Sequence, residues 1–78
     1  MPIRAYLLIE AQAGKGSGIV SSLRKLPETV QADRVTGPYD VICVLESDDL
    51  DKLGDLVRDR VHKIDGGTRT MSCLRFSA

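Results

Sequence analysis

The sequence predicts an α+β domain of order β-α-β-β-α-β. It should close into a ferredoxin-like sandwich, a four-stranded antiparallel sheet with both helices on one face. Three observations carry that reading. Four segments (residues 3–10, 29–36, 41–45 and 68–76) have strand length and strand composition. Two segments between them repeat apolar residues at helical spacing. Two right-handed β-α-β units joined in this order generate the sandwich. The third observation concerns what the sandwich leaves bare. Residues 41–45 (Val-Ile-Cys-Val-Leu) are apolar without a break, which suits a strand buried on both faces. Helices cover only one face, so the other should meet a second subunit and form a dimeric α+β barrel through the sheets.

Taken in order, residues 3–10 place Ile3, Ala5, Leu7 and Ile9 on one face and Tyr6 and Leu8 on the other. Gly14 and Gly16 make the following linker, and Ser17 is placed to cap the first helix. Ile19, Val20, Leu23 and Leu26 form its apolar stripe, and Pro27 closes it after about three turns. The second strand alternates weakly. Val30, Ala32 and Val35 point inward only if a bulge falls near Asp33 and Arg34. Gly37, Pro38 and Asp40 then supply turn chemistry: permissive backbone angles, a preset φ, and a side chain that bonds its own backbone. After the third strand, Ser47 is placed to cap a second helix whose first turn holds Asp48, Asp49 and Asp51. Its stripe is Leu50, Leu53, Leu56, Val57, Val61 and Ile64. Gly66 and Gly67 end it before the last strand.

Seventy-eight residues make one domain, residues 1–78. A chain of that size buries only roughly 60% of the surface it exposes when unfolded, so association is a natural remedy. Eleven basic and eleven acidic residues give a formal net charge of zero, which offers no footprint for nucleic acid or an anionic membrane. No signal peptide, lipidation motif or long apolar run is visible, and the expectation is a soluble cytoplasmic protein. Cys43 and Cys73 lie in apolar strand-like runs without a C-x-x-C pair, and the single histidine, His62, lacks a partner at metal-ligand spacing. Both cysteines therefore read as small buried hydrophobes, and no metal or cofactor is expected. His62 reads as a solvated cap residue, and Arg58, Asp59 and Arg60 as a salt-bridged exposed face.

Two motifs carry a resemblance. The pattern V-T-G-P-Y-D-V at residues 35–41 is followed by a strand, an acidic-capped helix, and I-D-G-G-x-R-T-x-S at residues 64–72. Together they resemble the C-terminal effector domain of the Lrp/AsnC family (feast/famine regulators), over nearly the whole chain. Asp65-Gly66-Gly67 stands where the family usually has Pro-Gly-Val, and Ser72 replaces its usual second threonine. Full-length members begin with a helix-turn-helix. This chain starts at the first effector strand and looks like a stand-alone version with no DNA-binding domain.

The resemblance implies dimers formed face to face through the sheets and rings of dimers, typically octamers, with a small amino acid bound at dimer–dimer contacts. By matching position, Gly37, Tyr39 and Asp40 would line that site together with Thr70 and Ser72. A carboxylate such as Asp40 suits an α-ammonium, and backbone N–H groups near Gly37 suit an α-carboxylate. Each residue also has an ordinary structural reading: Asp40 as a turn residue, Gly37 as a backbone requirement, Tyr39 as a packing residue, Thr70 and Ser72 as β-compatible polar positions. The implied function is non-enzymatic amino-acid sensing and oligomerisation, with modulation of a full-length Lrp/AsnC regulator. The alternatives are a small cofactor-free enzyme of the dimeric α+β barrel type and a ligand-free assembly partner. With no tryptophan, one phenylalanine and one histidine, an enzymatic base-plus-aromatic pocket is hard to assemble.

Overall fold

The computed structural model describes residues 2–76. Its elements are β1 (Ile3–Ala11), α1 (Gly16–Arg24), β2 (Thr29–Arg34), β3 (Val41–Ser47), α2 (Leu50–Leu56) and β4 (Gly67–Leu74). A π-helical turn, Val57–Val61, continues α2. The strands form one sheet in the order β2-β3-β1-β4, and every neighbouring pair is antiparallel. This is the ferredoxin-like architecture the segment order predicts.

Alternation along the two central strands decides which residues face the helices. Ala5, Leu7 and Ile9 of β1 and Val41, Cys43 and Leu45 of β3 are buried against Ile19, Val20, Leu23, Leu53, Leu56 and Val61. Burying a leucine or isoleucine side chain contributes roughly 1.5–3 kcal/mol, so this layer is the main source of stability. On the other face, Tyr6 and Leu8 of β1 stand opposite Val44 and Ile42 of β3, and opposite Cys73 and Met71 of β4. That face is apolar at its centre and charged at both ends. Arg4 pairs with Glu46 directly across from it, and Glu10 with Arg69 at the other end. Nothing among the described residues covers it.

Several local expectations need correction. The bulge in β2 falls between Thr29 and Gln31, not near Asp33 and Arg34. Val30 is therefore half-exposed rather than inward, while Ala32 stays in the core. Ser17 does not cap α1: the N-cap position is Lys15, without a side-chain bond, and the Ser17 hydroxyl instead accepts from Arg34 Nη1 at 3.1 Å. The helix stops at Arg24, short of Pro27, where the N–H groups of Lys25 and Leu26 donate only three residues back, to the carbonyls of Ser22 and Leu23, and tighten the last turn. The cap of α2 is Asp49, whose carboxylate accepts from the backbone N–H of Asp51 at 2.9 Å; Ser47 lies two residues earlier, at the end of β3.

The stripe of α2 also departs from regular helical spacing. From Leu56 to Val61 is five residues, a step that would rotate Val61 off the core face of an α-helix. The π turn widens the coil there, with the His62 N–H reaching back to the Val57 carbonyl at 2.9 Å, and Val61 returns to the core. Leu50, expected in the stripe, is instead half-exposed. Cys73 also departs from expectation. It lies on the open face and is exposed, whereas Cys43 is buried as expected.

Two connections tie one end of the sheet together. Gly66 has φ +97°, a conformation that favours glycine, and its carbonyl accepts from the Gln12 N–H at 2.8 Å. The Lys15 stem packs over it, and the Lys15 ammonium meets Asp65 at 3.2 Å. Beside this clasp, the loop between β2 and β3 closes through a bond of 2.9 Å from the Val35 N–H to the Asp40 carbonyl, and it contains a cis Gly37-Pro38 peptide.

The uncovered side of β4 and the β2–β3 loop

β4 is an edge strand, and its helix-facing side is not covered by a helix. Register places Thr70 beside Ile9, Ser72 beside Leu7 and Leu74 beside Ala5, all on the side where β1 is fully buried. Yet Ser72 and Leu74 are exposed, and Thr70 is only half-buried. The reason is geometric. β1 and β3 lie under the helices, while α2 and its π turn leave open space between themselves and the outer strand.

Two hollows follow from that gap. One, of about 310 Å³, has Thr68 and Thr70 at its rim and Ile9, Ile19, Val61 and Ile64 as its floor. The other, of about 210 Å³, runs between α2 and β4 and is lined by Leu50, Leu53, Val57, Ser72 and Leu74. His62, which follows the π turn, borders both.

The β2–β3 loop lies at the same end of the sheet as Thr70 but faces elsewhere. Asp40 is a structural tie. Its N–H donates to the Ile9 carbonyl at 2.9 Å, and its Oδ2 accepts from the Ala11 N–H at 2.7 Å. It lines a third, smaller hollow of about 110 Å³ with residues of the β1–α1 loop and Arg34. Tyr39 reaches the other way, its hydroxyl 3.8 Å from Met71 Sδ on the open face. Gly37 is exposed and has open space where a Cβ would be, and its φ is not positive. The conformational freedom expected of it is therefore not used within this chain.

Of the five residues singled out by resemblance, the structure brings Gly37, Tyr39 and Asp40 together on one loop, and Thr70 and Ser72 together on one side of β4. It does not join the two groups. The gap over β4, the hollows it leaves and the place of His62 between them were missed from sequence. Part of the signal was available: Thr70 and Ser72 alternate with Met71 and Cys73, so the polar residues of β4 fall on the side where its neighbour is most apolar.

The thiols offer no reactive group in the core. Burial pushes the Cys43 thiol up to about 11, with only a weak opposing effect from Thr29. A group whose folded pKa is raised gives stability that is fully present below its unfolded value, here 9.0, and that falls as pH rises towards 11. Titration with a thiol reagent at pH 8 should therefore modify Cys43 only after denaturation. Fast modification of Cys43 in the folded protein would show that the core is open.

A ferredoxin-like sandwich with one bare apolar sheet face and an uncovered outer strand defines a class of small α+β domains with apolar surface left over for a ligand or a second chain. The comparisons give the class its family. The model for the Lrp/AsnC ligand binding domain matches residues 4–78, so the chain belongs to that family. The HTH-type transcriptional regulator FL11 of Pyrococcus furiosus is 37% identical over 75 residues, covering 94% of this chain and 49% of the regulator. The chain thus spans about half the length of the curated relatives it matches. Among solved structures, TTHA0845 from Thermus thermophilus superposes with TM-score 0.91 at 29% identity, covering 97% of this chain and 95% of that one. AsnC from E. coli shares the fold, with TM-score 0.89 at 18% identity over 97% of this chain and 52% of that one. The transcriptional regulator NMB0573 from Neisseria meningitidis, solved as a complex with L-Met, also shares it, with TM-score 0.84 at 19% identity over 96% and 50%.

Proposed function

We propose that the chain is a non-enzymatic effector module that dimerises through its open sheet face, assembles further into a ring such as an octamer, and binds a small amino acid between dimers. The observation that carries this reading is the division of the candidate residues. Thr70 and Ser72 stand on an uncovered side of β4, Gly37, Tyr39 and Asp40 on a loop that faces away from it, and one copy cannot close a pocket around both sets. A second copy presenting its loop to β4 completes the pocket. Gly37 supports this, because a glycine with open space and an ordinary φ is well suited to close approach by something outside the chain. The relatives are named as transcriptional regulators, and one related fold was solved with L-Met, which supports an amino acid as ligand. The effector module would act on transcription by assembling with a full-length Lrp/AsnC regulator.

Asp40 can be tested without removing the tie to β1. Asp40→Asn keeps an oxygen for the Ala11 N–H and removes the charge that would hold an α-ammonium. Losing a charge-assisted hydrogen bond costs on the order of 1.5–3 kcal/mol, roughly a 10- to 150-fold weaker Kd. Calorimetry with the twenty amino acids on wild type and variant should show that loss, with thermal stability nearly unchanged. Equal affinity in the two proteins would leave Asp40 as a tie between loop and strand only.

A further inference from the structure

The end of the sheet where β1 begins carries a row of charges across the strands, and only the middle two are paired. Arg4 and Glu46 hold each other. The Arg75 N–H donates to the Arg4 carbonyl at 2.9 Å, which puts Arg75 opposite Arg4 and, by alternation, on the open face. On the other side the Glu46 N–H donates to the Glu28 carbonyl at 2.9 Å, so Glu28 flanks Glu46. Acids thus stand on the β2 and β3 side and arginines on the β1 and β4 side. Like charges on adjoining strands are unfavourable, and among the described residues neither Glu28 nor Arg75 meets an opposite charge. Beside Glu28 lies a hollow of about 490 Å³ with Pro2, Pro27 and Val30 as its apolar walls. Its charged lining is acidic on balance, Glu28, Glu46 and Asp48 against Lys52. Beside Arg75 stands Phe76, the one phenylalanine of the chain, 94% exposed. Glu28 and Val30 of the same chain are out of its reach. β2 and β4 are three strand spacings apart, roughly 14 Å, and Phe76 is one residue past the bond that fixes Arg75.

From this juxtaposition we infer that the C-terminal end of β4 docks on a second copy of the chain, with Phe76 in the hollow at Val30 of that copy and Arg75 paired with its Glu28. The inference rests on dimerisation through the open face and adds the residues that orient it. A two-fold axis along the strands lays the β4 side of one sheet over the β2 side of the other. Arg75 then meets Glu28 twice per dimer, and each exposed Phe76 gains an apolar wall. An axis across the strands would instead bring Arg75 of one copy to Arg69 of the other, like charge against like.

The test is charge reversal in the whole protein. Arg75→Glu and Glu28→Arg each set like charges together at both contacts, so each variant alone should dimerise about tenfold more weakly than wild type. Mixed in equal amounts, the two variants restore both contacts. Mixed dimers should then make up about nine-tenths of all dimers by native mass spectrometry, against about half for random pairing. Phe76→Ala changes an exposed residue, so it folds whatever the charge variants do, and it should weaken the dimer about tenfold in sedimentation. Random pairing of the charge variants, or a Phe76→Ala dimer as tight as wild type, would overturn the docking while dimerisation stood. A wild type that sediments as a monomer would overturn dimerisation through the open face and this inference with it.

Discussion

Leu8→Arg should leave no dimer at micromolar concentration. Leu8 stands at the centre of the open sheet face, between Ile42 on β3 and Met71 on β4. A face that packs on a copy of itself around a two-fold axis carries every substitution twice, so two guanidinium groups would enter one apolar layer. Their nearest acids are already engaged, Glu46 by Arg4 and Glu10 by Arg69. An unpaired buried charge costs several kcal/mol, enough to dissociate an interface of ordinary strength. Analytical ultracentrifugation distinguishes the outcomes: wild type should sediment as a dimer or larger, and the variant as monomer or unfolded chain. If the open face is instead solvent-exposed in the working protein, Leu8→Arg is a surface change worth within about 0.5 kcal/mol, and the sedimentation of the two proteins will match.

Gly66→Ala should be the most destabilising single-methyl change in the chain. The new Cβ would lie 2.5 Å from Lys15 Cβ and 2.8 Å from its Cγ, and the φ of +97° is one that alanine adopts only under strain. Lys15 cannot swing its Cβ aside without moving the β1–α1 loop, which is bonded to Gly66 through Gln12. Strain and overpacking together cost about 3 kcal/mol, which for a domain of this size lowers Tm by on the order of 10–20 °C at fixed protein concentration. Gly54→Ala is the control. It lies within α2 with nothing near its absent Cβ, so alanine there should raise stability by roughly 0.5–1 kcal/mol. Calorimetric melting of the two variants gives the comparison, and a Gly66→Ala melting point within a few degrees of wild type would show that the clasp is soft.

What could be read in the sequence follows the strength of its periodic signals. β1 and β3 alternate or run apolar so strongly that the apolar character of both their faces was legible. The sandwich then followed from segment order. Features set by long-range geometry were not legible. The bulge at Val30 depends on pairing with β3, which places Gln31 opposite Val44 and leaves Val30 without a partner. The π turn depends on Val61 finding the core, and no local propensity marks it. Cys73 was read as buried because the residues around it are apolar, but alternation sends it to the open face.

The candidate site shows the same division. Its residue types came from a motif, while their separation into a loop group and a strand group is a property of the folded chain alone. Asp40 illustrates how one residue serves two readings. The aspartate of a turn was expected either to bind a ligand or to stabilise the turn, and the structure shows a third use, tying the loop to the end of β1 at Ala11. One of its oxygens is committed there, so a ligand ammonium would have to share the carboxylate.

The claim that each site is built from two copies can be tested by mixing variants. Asp40→Asn damages the loop half of the pocket and Thr70→Val the strand half. Each alone should fail to bind the amino acid at a concentration that saturates wild type. Unfolding and refolding the two together produces hybrid assemblies in which an intact loop from one chain meets an intact strand from the other. Equilibrium dialysis should then recover binding in a fraction of the sites. If the mixture binds no more ligand than the separate variants, the loop and the strand of a single chain form the site, and the account of an intersubunit pocket is wrong.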